Sequence, residues 1–480
     1  MKASLAKNAI YKVILNVFNL LVPLFVGPYI AGLISPELYG IYNRVFAEFQ
    51  VFFILGAFGI YNYGIRELSK VQNNKEKFQE IFTSLFVIGL ISNLVVTLFY
   101  VIYFLNRSNG IDKYVYLVMV IQMVSNVVYI EFVNEAVENY GFIAKKTIVI
   151  RGLYLVAIFL FVKKPTDVII YSIIVSSTVF FNNFTSFLYL KKQYRFNFKK
   201  IVILPHLIPL FVNLVFVNVE LLFGQLDKVM LGPLVNDIAV TEYTLPTNLI
   251  GMISTIPLSL ITVAIPRLAK YIGENNKKEY ENTLHQTSNV YMSILIPMTF
   301  GVFVLSKEIM WLYSKDVYTY VYPVLACAAV SRIIYGYESI VTYLVMYVNG
   351  LEKQLTVFLF GCGILNLCMN YSFVLVGKFT AFTALFSTMF SIFIFDIVAT
   401  VYSEKKLGIK CEFFSKKICQ YFVVSFIFIP VAVIINMLQL SYIWNIVLEM
   451  SICIGIYGVY LLYSKDPLVE VILKKIKRRK

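Results

Sequence analysis

Apolar stretches of twenty or so residues, separated by short polar loops, recur along the whole chain, and about 20 apolar residues is what a helix needs to cross a bilayer's hydrocarbon core. The pattern predicts fourteen spans, at 9–34, 40–64, 81–104, 114–136, 147–162, 168–190, 206–232, 243–266, 287–306, 319–348, 355–376, 380–402, 418–437 and 443–463. The chain therefore reads as an all-α polytopic membrane protein. The first apolar run is too long for a secretory leader and lacks a small-residue cleavage site, so it reads as a retained helix.

Basic residues set the topology, because Lys and Arg accumulate on the cytoplasmic side. With loops assigned alternately, 32 of the 42 Lys and Arg fall on the side holding both termini and seven on the other. Both termini are thus expected to be cytoplasmic, in a cell membrane. The net charge of +15 is mostly this topological signal, and the basic tail Lys474–Lys480 suits anionic headgroups better than nucleic acid.

Two inner loops are alike. Arg66-Glu67-Leu68-Ser69-Lys70 leads to Asn73-Asn74-Lys75-Glu76-Lys77-Phe78, and Arg267-Leu268-Ala269-Lys270 leads to Asn275-Asn276-Lys277-Lys278-Glu279-Tyr280. Each follows the second helix of a six-helix unit, which predicts a parallel repeat. The expected organisation is an N-terminal six-helix lobe over 1–200, a second over 201–403, and two further helices with a basic tail over 404–480. Two pseudo-symmetric lobes around a central cavity is an alternating-access architecture. Pro23, Gly27 and Pro28 in the first span, and Pro246, Gly251 and Pro257 in the eighth, are expected either to interrupt those helices or to be tolerated as kinks.

Three cations counted with neither set of loops, Arg44, Lys228 and Arg332, lie within spans. Charges inside a membrane are costly and face a bundle interior, a polar cavity or a partner. Together the three suit a phosphate-bearing substrate, Arg binding as a fork and Lys as a point charge. Arg44 can alternatively pair with Glu48 one turn along, and Lys228 can snorkel outward. The acids Glu220, Asp227, Glu338 and Asp396 are candidates for coupling to a proton or sodium gradient, or counter-ions for the cations. Glu131, Glu135 and Glu138 read as a solvated inner rim.

Composition narrows the chemistry. The chain is 59% hydrophobic and 14% charged, well outside the soluble range. Two histidines far apart and six singly placed cysteines argue against a metal centre and for buried free thiols. No phosphate-binding G-x-x-x-x-G-K-[ST] loop is present, so ATP hydrolysis is not expected. No catalytic residues and no cofactor are assigned.

The opening Asn8-Ala9-Ile10-Tyr11-Lys12, then Val22-Pro23, Gly27-Pro28-Tyr29-Ile30 and Ser35-Pro36-Glu37-Leu38-Tyr39-Gly40, resembles the start of the Wzx-type polysaccharide flippases. These belong to the multidrug/oligosaccharidyl-lipid/polysaccharide exporter superfamily. Gly59-Ile60-Tyr61-Asn62-Tyr63-Gly64, Leu226-Asp227-Lys228-Val229-Met230-Leu231-Gly232, Ile265-Pro266-Arg267-Leu268 and the pair Asn366/Asn370 follow in family order. Departures are Gly32 where the family commonly has a basic residue, Phe132/Ala136/Glu138 in place of an aromatic–Gly–Glu signature, and Ser391 where an acid is usual.

The resemblance implies a non-enzymatic flippase moving undecaprenyl-pyrophosphate-linked oligosaccharide across the membrane lipid for capsule or exopolysaccharide assembly, alongside a polysaccharide polymerase and glycosyltransferases. A lipid-linked peptidoglycan-precursor flippase, a drug/cation antiporter and a membrane polymerase or glycosyltransferase are the alternatives. An antiporter would favour a cavity dominated by acids, and a polymerase longer outer loops.

Overall fold

The computed structural model describes residues 5–107, 110–409, 415–464 and 466, with side chains outside 5–10, 12–13, 16 and 216–223. Among these the protein is helical, with no β-strand. The chain forms two compact units, Met1–Thr241 and Glu242–Lys480. Among the described residues ten helices are long and apolar enough to cross a membrane, and Val17–Leu33 and Leu204–Val215 are shorter apolar segments.

The first unit contains α1 (Leu5–Leu33), α2 (Pro36–Ala57), α3 (Ile60–Lys70), α4 (Lys75–Arg107), α5 (Ile111–Val127), α6 (Glu131–Ala136), α7 (Tyr140–Phe161), α8 (Val168–Gln193) and α9 (Leu204–Leu234), and takes in the first turn of α10 (Asp237–Gly273). Helix α2 is its hub, packed on α4, α5, α8 and α9. Two expected spans are broken. The segment 40–64 divides at Phe58 and Gly59, both left-handed, with φ of 49° and 70°. A Cβ on Gly59 would stand 2.6 Å from the Leu210 carbonyl oxygen of α9, so this position needs glycine for its backbone angle and for close approach. Asn213 of α9 donates to the Gly59 carbonyl at 2.7 Å, meeting an acceptor that the break exposes. The segment 114–136 is likewise divided, between α5 and α6.

The second unit holds the rest of α10, then α11 (Lys277–Val304), α12 (Ser306–Ser314), α13 (Tyr322–Ser339), α14 (Glu352–Leu375), α15 (Ala381–Leu407), α16 (Lys416–Phe426), α17 (Phe428–Met437) and α18 (Tyr442–Tyr463). Helix α13 packs on α11 and α15, and continues as a π-helix over Ile340–Tyr347. Gly336 permits the α11–α13 approach, since a Cβ there would meet Leu295 at 2.3 Å.

The two similar inner loops have one local geometry. Asn74 accepts from the Lys77 amide at 3.1 Å and Asn276 from the Glu279 amide at 3.2 Å, so each caps the next helix through the third residue on. Phe78 and Tyr280 are buried at the same register.

Of the two readings of the prolines the structure has the tolerated one: Pro23 and Pro28 lie inside α1, and Pro246 and Pro257 inside α10. A proline removes one backbone donor, and neighbouring helices can absorb that loss in a membrane bundle. Of the thiols, Cys362 and Cys453 are buried, Cys327 is intermediate, and Cys368 and Cys419 are exposed; Cys411 lies outside the described residues.

Replacing Gly59 with Ala is expected to lower the thermal midpoint of the purified protein by several degrees, because a left-handed non-glycine residue costs roughly 1–2 kcal/mol before the collision with α9 is counted. Gly152→Ala, where an added Cβ meets nothing within 4 Å, should leave the midpoint unchanged in the same melt.

Candidate functional site

In the first unit the buried charge centres on Arg44. Its Nε donates to Asp237 at 2.6 Å, Nη2 lies 3.5 Å from Asp112, and Nη1 lies 3.8 Å from Glu48. The expected Glu48 pair is present but is the longest of the three. Asp112 and Asp237 stand in the first turns of α5 and α10, where the helix dipole favours a carboxylate. Glu48 is buried and accepts from the hydroxyls of Tyr103 at 2.8 Å and Tyr116 at 2.5 Å.

Two glycines make room for this cluster. A Cβ on Gly40 would fall 1.8 Å from the Asp237 carbonyl oxygen, and one on Gly232 would fall 2.1 Å from Arg44 Cδ. Helices α2, α9 and α10 therefore meet at the guanidinium. The donors expected to reach phosphate are here directed at the chain's own acids.

Lys228 is half-buried on α9, one turn before Gly232, and its neighbour Asp227 is fully buried. The structure thus brings Arg44 and Lys228 onto adjoining helices. The side chain of Glu220 lies outside the described residues.

The acids of α6 do not form a solvated rim. Glu131 is buried and pairs with Lys146 of α7 at 2.9 Å, and Ser186 of α8 donates to the same carboxylate oxygen. Lys146 also donates to Ser186, at 2.6 Å. Glu135 accepts from Tyr61, and only Glu138 is exposed. Sequence reading placed Lys146 in a basic inner loop; its one signal was position 15 residues from an acid already singled out.

In the second unit Arg332 of α13 stacks over the Tyr335 ring at 4.8 Å, and its Nε is buried without a hydrogen-bond partner. Glu338, two turns along, is buried and accepts from Thr342 at 2.7 Å and Ser339 at 3.4 Å. These bonds sit at the junction with the π-helix, a distortion frequently found at functional sites. Across the α13–α15 packing lies Asp396, 4% exposed, with Oδ1 lacking a partner and Glu338 near enough to repel it. A buried polar seam extends into α14, where Asn366 donates to Thr388 at 2.9 Å and Asn370 to Asn366 at 3.4 Å. Sequence reading missed Asp112 and Asp237, which sit outside the apolar spans, and the serines and threonines of α15, whose type is common in membrane helices.

The described residues form a multi-pass helical bundle with cations and acids held inside it. Its fold is similar to that of the lipid II flippase MurJ in an inward closed conformation, with a TM-score of 0.70 at 15% identity over 95% of this chain and 99% of that one. It is also similar to an inward-facing multidrug resistance MATE family transporter, with a TM-score of 0.61 at 13% identity over 82% of this chain and 94% of that one.

The polysaccharide biosynthesis protein family model matches residues 5–272, and the chain belongs to that family. The MatE family model matches residues 209–372. A protein of Escherichia coli (strain K12) described as "Putative O-antigen transporter" is 24% identical over 178 residues, which is 37% of this chain and 43% of that protein. The chain's match thus spans less than half the length of this curated relative.

Arg44→Ala is expected to destabilise the first unit by about 3 kcal/mol, the scale of leaving a buried ion pair half broken. The Arg44→Ala/Asp237→Asn double variant should recover part of that loss. Thermal unfolding of the four members of this cycle reads the coupling, and a double-variant loss equal to the sum of the two single losses would show that the pair is not coupled.

Proposed function

We propose that this chain carries a polyprenyl-pyrophosphate-linked oligosaccharide repeat unit from the inner to the outer leaflet of the cytoplasmic membrane, by alternating access, to supply assembly of a capsule- or exopolysaccharide-type polymer. The observation that carries the reading is the family match over residues 5–272. The polysaccharide polymerase and glycosyltransferases are its functional partners, and both termini face the cytoplasm.

The geometry supports a division of labour among the three cations. Arg332 has a buried Nε with no acceptor, so its fork is available to a phosphate. Lys228 stands beside it in role as a point charge. Arg44 is occupied by Asp237, Asp112 and Glu48, and is the group that shapes the first unit. Asp396, whose Oδ1 has no partner, and the buried Glu338 are the acids best suited to respond to a proton or sodium gradient. Asp227 is a further buried acid for that role.

The similarity to MurJ over 95% of the chain favours one second reading, a lipid-linked peptidoglycan precursor as cargo. Both readings share a pyrophosphate-linked glycan on a polyprenyl tail and differ in the sugar.

The deciding experiment follows the leaflet distribution of lipid-linked glycan in a host lacking this chain, with a probe that cannot cross the membrane. Inner-leaflet accumulation, reversed by re-expression, is the expected result, and the accumulated glycan identifies the cargo. Outer-leaflet accumulation of unpolymerised units would point to a polymerase-associated role instead. In the same assay Arg332→Ala, at normal membrane abundance, is expected to reduce translocation at least tenfold, with Arg332→Lys retaining part of it. Undiminished export by Arg332→Ala would remove Arg332 from the substrate path.

A further inference from the structure

A cavity lies in the second unit, walled by α11, α17 and α18, with a volume of about 560 Å³. It shares no lining residue with the Arg332–Asp396 region. Its walls are hydrocarbon, including Ile294, Met298, Leu305, Phe428 and Ile454. Such a volume and lining are those of a small-molecule site.

Of the lining residues one is charged. Glu449 of α18 is completely buried, and both of its carboxylate oxygens lack a hydrogen-bond partner. One turn away on the same face, Asn445 donates to Asn436 at 3.1 Å and reaches Glu308 at 3.5 Å, leaving its own Oδ1 without a partner. Glu308 of α12 is also buried and close enough to repel Glu449. The Glu449 carboxylate thus sits among acceptors, with no donor aimed at it among the described residues.

A buried charged or polar group without a compensating partner is expensive, so the arrangement is relieved by an occupant that brings donors and positive charge. A neutral lipid chain would fill the walls and leave the carboxylate unmet. A bare metal ion would meet the carboxylate and have no use for the walls. An alkylammonium satisfies both.

We propose that this cavity is a binding site for a lipophilic amine, its protonated nitrogen on Glu449 and its hydrocarbon body between α11 and α18. The site is separate from the pyrophosphate path, and binding to the purified protein does not depend on what the protein translocates.

The lining glycines give a second handle. A Cβ on Gly301 or Gly458 meets nothing within 4 Å, so larger side chains there enter the cavity without striking the helices. The test is saturable binding of radiolabelled dodecylammonium at neutral pH to the full chain in lipid nanodiscs, with empty nanodiscs subtracted. One site per chain is expected, weakened at least tenfold by Glu449→Gln and by Gly458→Leu. Dodecanol should compete poorly.

Unchanged affinity in Glu449→Gln with an unaltered thermal midpoint would overturn the proposal, as would equal competition by dodecanol or by sodium ion at matched concentration. If Glu449→Gln does not fold, Gly458→Leu decides: loss of the site supports the assignment, and retained affinity refutes it.

Discussion

A guanidinium on a membrane helix has to be answered by acids, and the way Arg44 is answered organises the first unit. Its partners come from the first turn of α5, the first turn of α10 and its own helix, so one charge ties α2 to two other helix starts. Gly40 and Gly232 are required by the same contact, because any side chain there would occupy the space of Asp237 or Arg44. A buried ion pair contributes little net stability against a well-packed apolar alternative, yet removing one member is costly. The cluster therefore specifies which helices meet more than it strengthens the bundle.

The same rule separates scaffold from site elsewhere. Lys146 and Ser186 both bond one carboxylate oxygen of Glu131, which ties α6, α7 and α8 together and leaves only the other oxygen of Glu131 without a partner. Arg332 Nε, Asp396 Oδ1 and both Glu449 oxygens are buried and unpartnered. In a low-dielectric interior such groups are the ones with energy to gain from an incoming ligand or ion. Among the described residues the second unit leaves charges unanswered at the seam between α13 and α15 and at the cavity beside α18, and these differ in their walls: one is lined by Ser, Thr and Asn, the other mostly by hydrocarbon.

Departures from straight helices have local causes that a hydropathy pattern does not carry. The break between α2 and α3 exists because α9 approaches the backbone at Gly59, and Asn213 meets the freed carbonyl. The π-helix after α13 starts beside Glu338, and the hydroxyl of Tyr280 donates to its Leu344 carbonyl at 2.8 Å. Tyr280 belongs to the inner loop that resembles the one before α4, so the repeated segment has acquired a separate task in the second unit.

The sequence alone determined that the chain is helical and membrane-spanning, that three cations lie within its spans, that its inner loops repeat, and to which family it belongs. Each of these rests on local quantities: the length of an apolar run, the side on which Lys and Arg accumulate, a capping Asn before a buried aromatic. Only the tertiary structure decided what each charge faces. Arg44 finds Asp237 193 residues away, Lys146 leaves the gap between two expected spans for a buried pair, and Glu449, an acid inside the expected span 443–463, is left without a partner. The prolines left two readings open because a missing backbone donor is a local signal whose consequence depends on the neighbouring helices. Charge and hydrogen-bond satisfaction are properties of the surroundings, and the surroundings of a side chain in a bundle come from helices distant in sequence.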